Sequence, residues 1–165
     1  MENYKETNKC RVCDHNTEEL LKISEQFIGA TFVETNVDNE LSNIKIPMTL
    51  TMCEHCKLVQ LRETTDPSLL YTNYFYRTGI NDTMKNDLNE LVTSIDEHVD
   101  LQEGDTVIDI GANDMTMLSM FDSKLNCIGV EPAKNINWCG VDDSITIVNE
   151  FFTKENIYKT IPDIK

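Results

Sequence analysis

Four cysteines, arranged as two equally spaced pairs, are the residues of this sequence with the clearest chemistry. They occur in Cys10-Arg-Val-Cys13 and Cys53-Glu-His-Cys56. A turn with two residues between its cysteines lets both sulfur atoms face one metal ion, and two such turns supply four thiolates in a tetrahedron. The spacing therefore predicts a structural zinc ion bound by Cys10, Cys13, Cys53 and Cys56. Because every ligand position is filled by a thiolate, none remains open for catalysis.

Two other interpretations of these cysteines remain open. The four could form two disulfides, or one pair could be a redox site and the other a chance occurrence. The amino terminus lacks the apolar core of a secretory signal, so we expect a cytoplasmic chain, in which disulfides are disfavoured. A redox pair is expected in a thioredoxin-like unit, which the pattern does not indicate. His15 and His55 lie beside the turns and could replace a cysteine ligand.

A second group of candidate residues follows two apolar strands in the carboxyl-terminal third. Asp109-Ile-Gly-Ala-Asn-Asp-Met115 stands at the end of the first strand, and Glu131 ends the second. Ligands of open α/β sheets bind at this edge, where a loop glycine lets the backbone approach and an acid accepts hydrogen bonds from ribose hydroxyls. A dinucleotide site needs three loop glycines, and only Gly111 is present. Asp109, Gly111 and Glu131 therefore favour S-adenosylmethionine as the cofactor.

Three regions must position these residues. We expect a zinc-binding domain over 1–62, a connecting helical segment over 63–100 and a partial S-adenosylmethionine-binding domain over 101–165. The predicted elements of the first two regions are strands over 46–52 and 58–61 and helices over 66–71 and 81–99. Those of the third region are strands over 104–110, 127–130 and 144–148 and helices over 115–121, 133–139 and from residue 153.

The alternation of strands and helices in the third region predicts a parallel sheet. The expected fold class is therefore α/β. It combines a small four-cysteine zinc-binding β unit, a helix and an incomplete Rossmann-like sheet.

The composition excludes several classes of function. Apolar residues make up 40% and charged residues 26% of the chain, as in globular proteins. The 29 acidic residues outnumber the 14 basic ones, which gives a net charge of −15. Binding to a phosphate backbone needs clustered lysine and arginine. We therefore expect neither nucleic acid nor an anionic membrane surface as a partner, and no apolar run reaches the roughly 20 residues of a membrane span.

Several motifs together resemble the bacterial sugar C-methyltransferases, which use S-adenosylmethionine to methylate nucleotide-linked deoxysugars. Besides the four cysteines, they are Cys56-Lys-Leu-Val-Gln-Leu61, Tyr74-Phe-Tyr-Arg-Thr-Gly79, the loop 109–115, Gly129-Val-Glu-Pro132 and Asn149-Glu-Phe-Phe152. The resemblance implies a class I methyltransferase sheet and a nucleotide-sugar substrate. It implies cofactor binding by Asp109, Gly111, Asn113 and Glu131. It also implies catalytic roles for Tyr74 and Tyr76, with the Tyr76 hydroxyl near the sugar ketone.

Two departures from the family pattern suggest an alternative function. Met115 replaces the second loop glycine of the family, and Lys165 ends the chain about where a fourth strand should begin. We therefore expect the amino-terminal portion of a methyltransferase, completed by a longer chain or a separate subunit. The alternative is a non-catalytic, zinc-stabilised interaction module or methyltransferase remnant.

Overall fold

The computed structural model describes residues 3–29 and 43–162, and it divides the chain into two compact units. The amino-terminal unit is Met1–Tyr71 and the carboxyl-terminal unit is Thr72–Lys165. The division after residue 71 falls between the expected boundaries at residues 62 and 100, and residues 63–65 belong to the first unit because they pair with the first strand of the chain. Part of the spacer between the cysteine pairs, residues 30–42, and the expected break at Lys165 lie outside the described residues.

The amino-terminal unit consists of short antiparallel strands. Its described elements are β1 (Tyr4–Glu6), β2 (Thr17–Phe27), β3 (Lys45–Cys53), β4 (Val59–Leu61), β5 (Glu63–Thr65) and α1 (Pro67–Tyr71). Strands β2, β3 and β4 form one sheet in that order, and β1 pairs with β5. The strands predicted over 46–52 and 58–61 and the helix predicted over 66–71 are confirmed. Strand β2 was not predicted, because its side chains are largely exposed and its sequence lacks the alternation of a half-buried strand.

The amino-terminal unit has a thin apolar core. Among its described residues, the buried apolar side chains are Ile46 and the two cysteines Cys10 and Cys53. A buried carboxylate on β5 adds a polar contact instead, since Glu63 accepts hydrogen bonds from the amide and hydroxyl of Thr49, both at 2.8 Å. So little buried apolar surface does not stabilise a unit of this size without further bonds.

The carboxyl-terminal unit contains a parallel sheet. Its described elements are α2 (Asp82–His98), β6 (Thr106–Ile110), β7 (Asn126–Val130), β8 (Thr146–Val148) and α3 (Lys154–Thr160), with 3₁₀ turns at Thr78–Ile80 and Leu118–Met120. Strands β6, β7 and β8 are neighbours in that order, and both pairs are parallel. The predicted fold class, a four-cysteine β unit followed by a helix and a Rossmann-like parallel sheet, is confirmed.

An apolar core and a capped helix support this sheet. The Asn81 side chain accepts the Met84 amide at 3.1 Å and so caps the start of α2. Val92 on α2 joins the buried cluster formed by Met115 and Leu118. No helix in the described part of the chain has the length and apolarity to cross a bilayer.

Two segments that were predicted to be helices, 133–139 and 115–121, do not form α-helices. The segment 133–139 has no helix, because Ala133 directs its carbonyl oxygen to the Asn149 side-chain amide, at 3.0 Å, rather than to a residue one turn ahead. The segment 115–121 contains only the 3₁₀ turn Leu118–Met120. Both segments instead form loops at the carboxyl edge of the sheet.

Candidate functional site

The four paired cysteines converge on one point. The sulfur atoms of Cys10 and Cys56 are 3.6 Å apart, those of Cys13 and Cys53 are 3.5 Å apart, and all four lie within 4.8 Å of one another. Zinc–thiolate bonds of about 2.3 Å place the corners of a tetrahedron about 3.8 Å apart. A disulfide needs about 2.05 Å, and all six cysteines of the chain are unpaired. The four sulfur atoms therefore fit a zinc ion and do not form disulfides.

The two cysteine turns have the same backbone construction. The residue after each second cysteine adopts a left-handed conformation, with φ 58° at Asp14 and 63° at Lys57. The amide of Asp14 donates to the Cys10 carbonyl at 3.0 Å, and that of Lys57 donates to the Cys53 carbonyl at 3.2 Å. A left-handed conformation costs a residue such as Lys57 roughly 1–2 kcal/mol, and aspartate less. The turns therefore need a bond that offsets this strain, and four zinc–sulfur bonds would provide it.

The thiols of the cluster have divergent acidities. Burial raises the pKa of Cys53, but hydrogen bonds from the amides of Cys56 and His55 and from nearby thiols outweigh it and lower the pKa to about 6. The His15 amide lowers the pKa of Cys13, but burial and the surrounding thiols raise it to about 12. The thiols of this cluster therefore differ in how readily they lose their protons. Zinc binding is expected to release the remaining protons.

Two histidines lie beside the cysteine turns. The rings of His15 and His55 stack with their centroids 4.1 Å apart and an interplanar angle of 10°. Both side chains are exposed, and Nδ1 of His15 donates to the Cys13 carbonyl at 2.9 Å. Their possible use as replacement zinc ligands stays a prediction.

In the carboxyl-terminal unit, the loop after β6 borders a pocket of about 170 Å³. Asp109, Gly111 and Asn113 line this pocket, so three of the four predicted cofactor residues come together. Gly111 has φ 83°, and a side chain there would project into space that no atom occupies within 4 Å. The backbone at this position therefore favours glycine, and the lack of a side chain leaves the pocket open.

The fourth predicted cofactor residue, Glu131, supports the loop. Its side chain is only 5% exposed and does not line the pocket. One carboxylate oxygen accepts the Asn113 amide at 2.9 Å, and the other accepts the Ala133 amide at 2.8 Å. Burial raises the pKa of the Asp109 carboxyl, and the negative charge of Glu131 raises it further. Two carboxyls in this setting favour a cationic ligand.

Met115 packs into the core and leaves the pocket clear. Its backbone has the positive φ, 65°, that the family glycine suits, and its side chain is 0% exposed. The sulfur lies over Gly129, where an added Cβ would be 2.1 Å from it. The departure at position 115 therefore strains the backbone but does not obstruct the pocket after β6.

The predicted catalytic tyrosines lie on a segment whose backbone is held by hydrogen bonds with two side chains. The Arg77 guanidinium donates to the carbonyl oxygens of Tyr76 and Asn135, at 2.7 and 2.8 Å, and to that of Tyr74. The Asn135 side chain also bonds both backbone groups of Tyr74. Arg77 and Asn135, which were not predicted as site residues, therefore fix the course of this segment.

The same segment reaches the pocket through a threonine. Asn113 donates to the Tyr76 carbonyl at 3.1 Å and accepts the Thr78 amide at 3.1 Å. Thr78 lines the pocket, whereas neither Tyr74 nor Tyr76 does. The motif around the tyrosines contains Thr78, so the sequence held a signal for it. Catalytic roles for both tyrosines stay predictions.

Comparison with known proteins agrees with the cysteine geometry. Residues 10–71 match a family described as "Putative zinc binding domain". The matched segment begins at the first cysteine and ends at the last residue of the amino-terminal unit. The amino-terminal unit is therefore similar to this zinc-binding family over most of its length.

The chain is also similar to a known enzyme. It is 26% identical over 153 residues to the C-methyltransferase NovU of Streptomyces niveus, an alignment that covers 90% of this chain and 36% of that protein. The chain thus spans about a third of the length of this relative. The resemblance to C-methyltransferases that the motifs predict is confirmed.

Proposed function

We propose that this chain contributes the zinc-binding unit and part of the cofactor site of an S-adenosylmethionine-dependent C-methyltransferase that acts on a nucleotide-linked keto-deoxysugar. The observation that carries the proposal is the pocket that Asp109, Gly111 and Asn113 line at the end of β6. Its position matches the edge at which open α/β sheets bind ligands. The similarity to a C-methyltransferase supports the reaction class.

The residues around the pocket fit this cofactor. S-adenosylmethionine carries a cationic sulfonium, and the Asp109 carboxyl, whose pKa is raised by burial and by Glu131, gains from a nearby cation. The open space above Gly111 lets a ligand approach the backbone. The volume of 170 Å³ is below the roughly 300–1,000 Å³ of most small-molecule sites, so the pocket would hold only part of the cofactor.

Each site residue would have a distinct task. Bound S-adenosylmethionine supplies a methyl group that an enolate carbon of the keto sugar can take. Asp109 would balance the positive charge, and Glu131 would hold the loop through the Asn113 amide while its remaining acceptor sites meet the ribose hydroxyls. The hydroxyl of Tyr76, or of Tyr74, would polarise the ketone or relay the proton next to it. Zinc would be structural.

We also propose partners and a location. The partners are the nucleotide sugar and either a longer chain or a separate subunit that completes the enzyme. The net charge of −15 favours neither nucleic acid nor an anionic membrane surface, and cytoplasmic location is the matching proposal.

One observation favours the alternative, a non-catalytic zinc-stabilised module. Glu131 is buried, and both its oxygens already accept backbone amides. A ribose would have to reach a carboxylate that is largely enclosed. A chain that kept this loop for stability alone would have the same arrangement, so ligand binding has to discriminate between the two functions.

Calorimetric titration of the zinc-loaded chain with S-adenosylmethionine tests the proposal. We expect saturable binding, weakened at least about tenfold by Asp109→Asn because the charge interaction with the sulfonium is lost. Asp143→Asn, at an exposed acid of the same unit, is the matched control and should bind normally. ATP, which has adenosine but no sulfonium, should give no heat. Absence of heat at millimolar S-adenosylmethionine, or equal binding by Asp109→Asn, would favour the non-catalytic module.

A further inference from the structure

A second group of metal-ligating side chains lies beside the cysteine turns. The Cys13 sulfur, one ring nitrogen of His15 and one ring nitrogen of His55 lie within 4.8 Å of one another. Both histidines are exposed, whereas Cys13 is half-buried. We infer that Cys13, His15 and His55 form a second, solvent-open cation site that shares the Cys13 sulfur with the four-cysteine centre. This inference goes beyond the proposed methyltransferase function.

The hydrogen bond of His15 prepares its ring for metal binding. Nδ1 of His15 lies 2.9 Å from the Cys13 carbonyl oxygen. A carbonyl oxygen has no proton to give, so Nδ1 must be the protonated nitrogen, and the neutral ring then carries its lone pair on Nε2. Histidines that bind metals are commonly oriented in this way by a carbonyl partner.

The distances require only a small adjustment. One tetrahedral ion with nitrogen and sulfur ligands places the ligand atoms about 3.3–3.8 Å apart. The three ligand atoms all lie within 4.8 Å of one another, so closing the group takes a shift of at most about 1.5 Å. The His15 and His55 rings are already parallel and exposed, so rotation of these two side chains can supply the shift without moving the core.

The charge and chemistry of the group select the ion. A zinc ion with four thiolates carries a net negative charge, so the Cys13 sulfur retains electron density that a second cation can share. One sulfur and two imidazoles suit a borderline-soft divalent ion such as Zn²⁺ or Co²⁺. The fourth position would be taken by water, which makes this site open where the four-cysteine centre is closed.

Cobalt titration of the chain loaded with one zinc ion tests the inference. Zinc binds such ligands more tightly than cobalt does, so added Co²⁺ leaves the first ion in place. We expect native mass spectrometry to show one Co²⁺ bound beside the zinc. A near-ultraviolet sulfur-to-cobalt absorption band should accompany it, because Cys13 is a ligand of both ions.

Two variants make the result decisive. The double variant His15→Ala/His55→Ala should keep its zinc and lose affinity for Co²⁺ by more than about 100-fold, the upper end of what removal of an outer-shell partner alone causes. The control His98→Ala removes the third histidine, exposed on α2, and should bind Co²⁺ normally. The inference is overturned if the wild type binds no cobalt, if cobalt binds without the sulfur band, if the double variant binds it normally, or if that variant loses its zinc.

Discussion

The two units of this chain are stabilised by different means. The amino-terminal unit buries Ile46 and its metal-binding cysteines but little other apolar surface among its described residues. The carboxyl-terminal unit has one apolar cluster around Met115 and Leu118 and another that includes Val130. Metal bonds can thus replace an apolar core, and the stability of such a unit then depends on the zinc concentration.

Zinc removal is the strongest test of this difference. Chelation, or Cys53→Ser, is expected to unfold residues 3–29 and 43–71 while residues 72–162 stay folded. Structural zinc contributes about 10–16 kcal/mol of apparent binding free energy, far more than a thin core supplies. Hydrogen exchange with mass spectrometry can follow both units in one sample. Cys139→Ser, at an exposed thiol of the other unit, should change neither. Simultaneous loss of protection in both units would show that the carboxyl-terminal unit also depends on zinc.

Gly129→Ala should destabilise the carboxyl-terminal unit alone. The new methyl group would lie 2.1 Å from the Met115 sulfur, and such overpacking costs about 1–3 kcal/mol. Denaturant unfolding measures the loss. If the close contact is the cause, Gly129→Ala should cost clearly less in a Met115→Ala background. An equal cost in both backgrounds would mean that another contact limits position 129.

Glu63→Gln should destabilise the amino-terminal unit by about 1–3 kcal/mol, because a neutral amide replaces the carboxylate that accepts two charge-assisted hydrogen bonds from Thr49. Burial raises the pKa of Glu63, but the hydrogen bonds from Thr49 outweigh it and lower the pKa. The stabilisation by Glu63 is therefore present above the unfolded-state pKa of about 4.3 and is lost as the pH falls through the folded-state pKa.

Thermal unfolding of the zinc-loaded chain at several pH values measures this effect. The gap between wild type and Glu63→Gln should shrink in acid. Glu19→Gln, which removes only a surface ion pair with Arg62, should cost less than about 1 kcal/mol. A gap that does not change with pH would show that the Glu63 charge is not the cause.

The smallest expected effect is a gain in stability. Burial and Glu131 raise the pKa of Asp109, so its ionised form costs stability above the folded-state pKa. Asp109→Asn should therefore raise the melting temperature of the carboxyl-terminal unit at neutral pH by about 2–4 °C. The gain should vanish below the unfolded-state pKa of about 3.9. Differential scanning calorimetry at both pH values checks it, with Asp143→Asn as the unchanged control.

Local spacing predicted much of this molecule. The two cysteine pairs, the strand over 127–130 and the helix over 81–99 depend on residues close in sequence, and each matches the structure. The helix expected over 133–139 failed because Asn149, far along the chain, takes one of its carbonyl groups. Helix propensity is a local property and does not account for a hydrogen bond to a residue distant in sequence.

The candidate site shows the same limit. Gly111 was identified by a turn that needs glycine, a property of the local backbone. Glu131 is buried because its carboxylate accepts backbone amides from two different loops. The spacing of residues in the sequence does not predict the direction of such a side chain. The pocket-lining role of Thr78 likewise depends on its bond with Asn113, 35 residues away.

The packing of Met115 over Gly129 has a consequence for recognising distant members of this protein class. The Met115 side chain occupies space that is free because Gly129, on the strand β7, has no side chain. Only one of the two positions can therefore carry a large side chain. A search pattern that demands glycine at position 115 would discard this chain, although the pocket after β6 remains unblocked. A pattern that allows a larger residue at position 115 when position 129 is glycine would retain it.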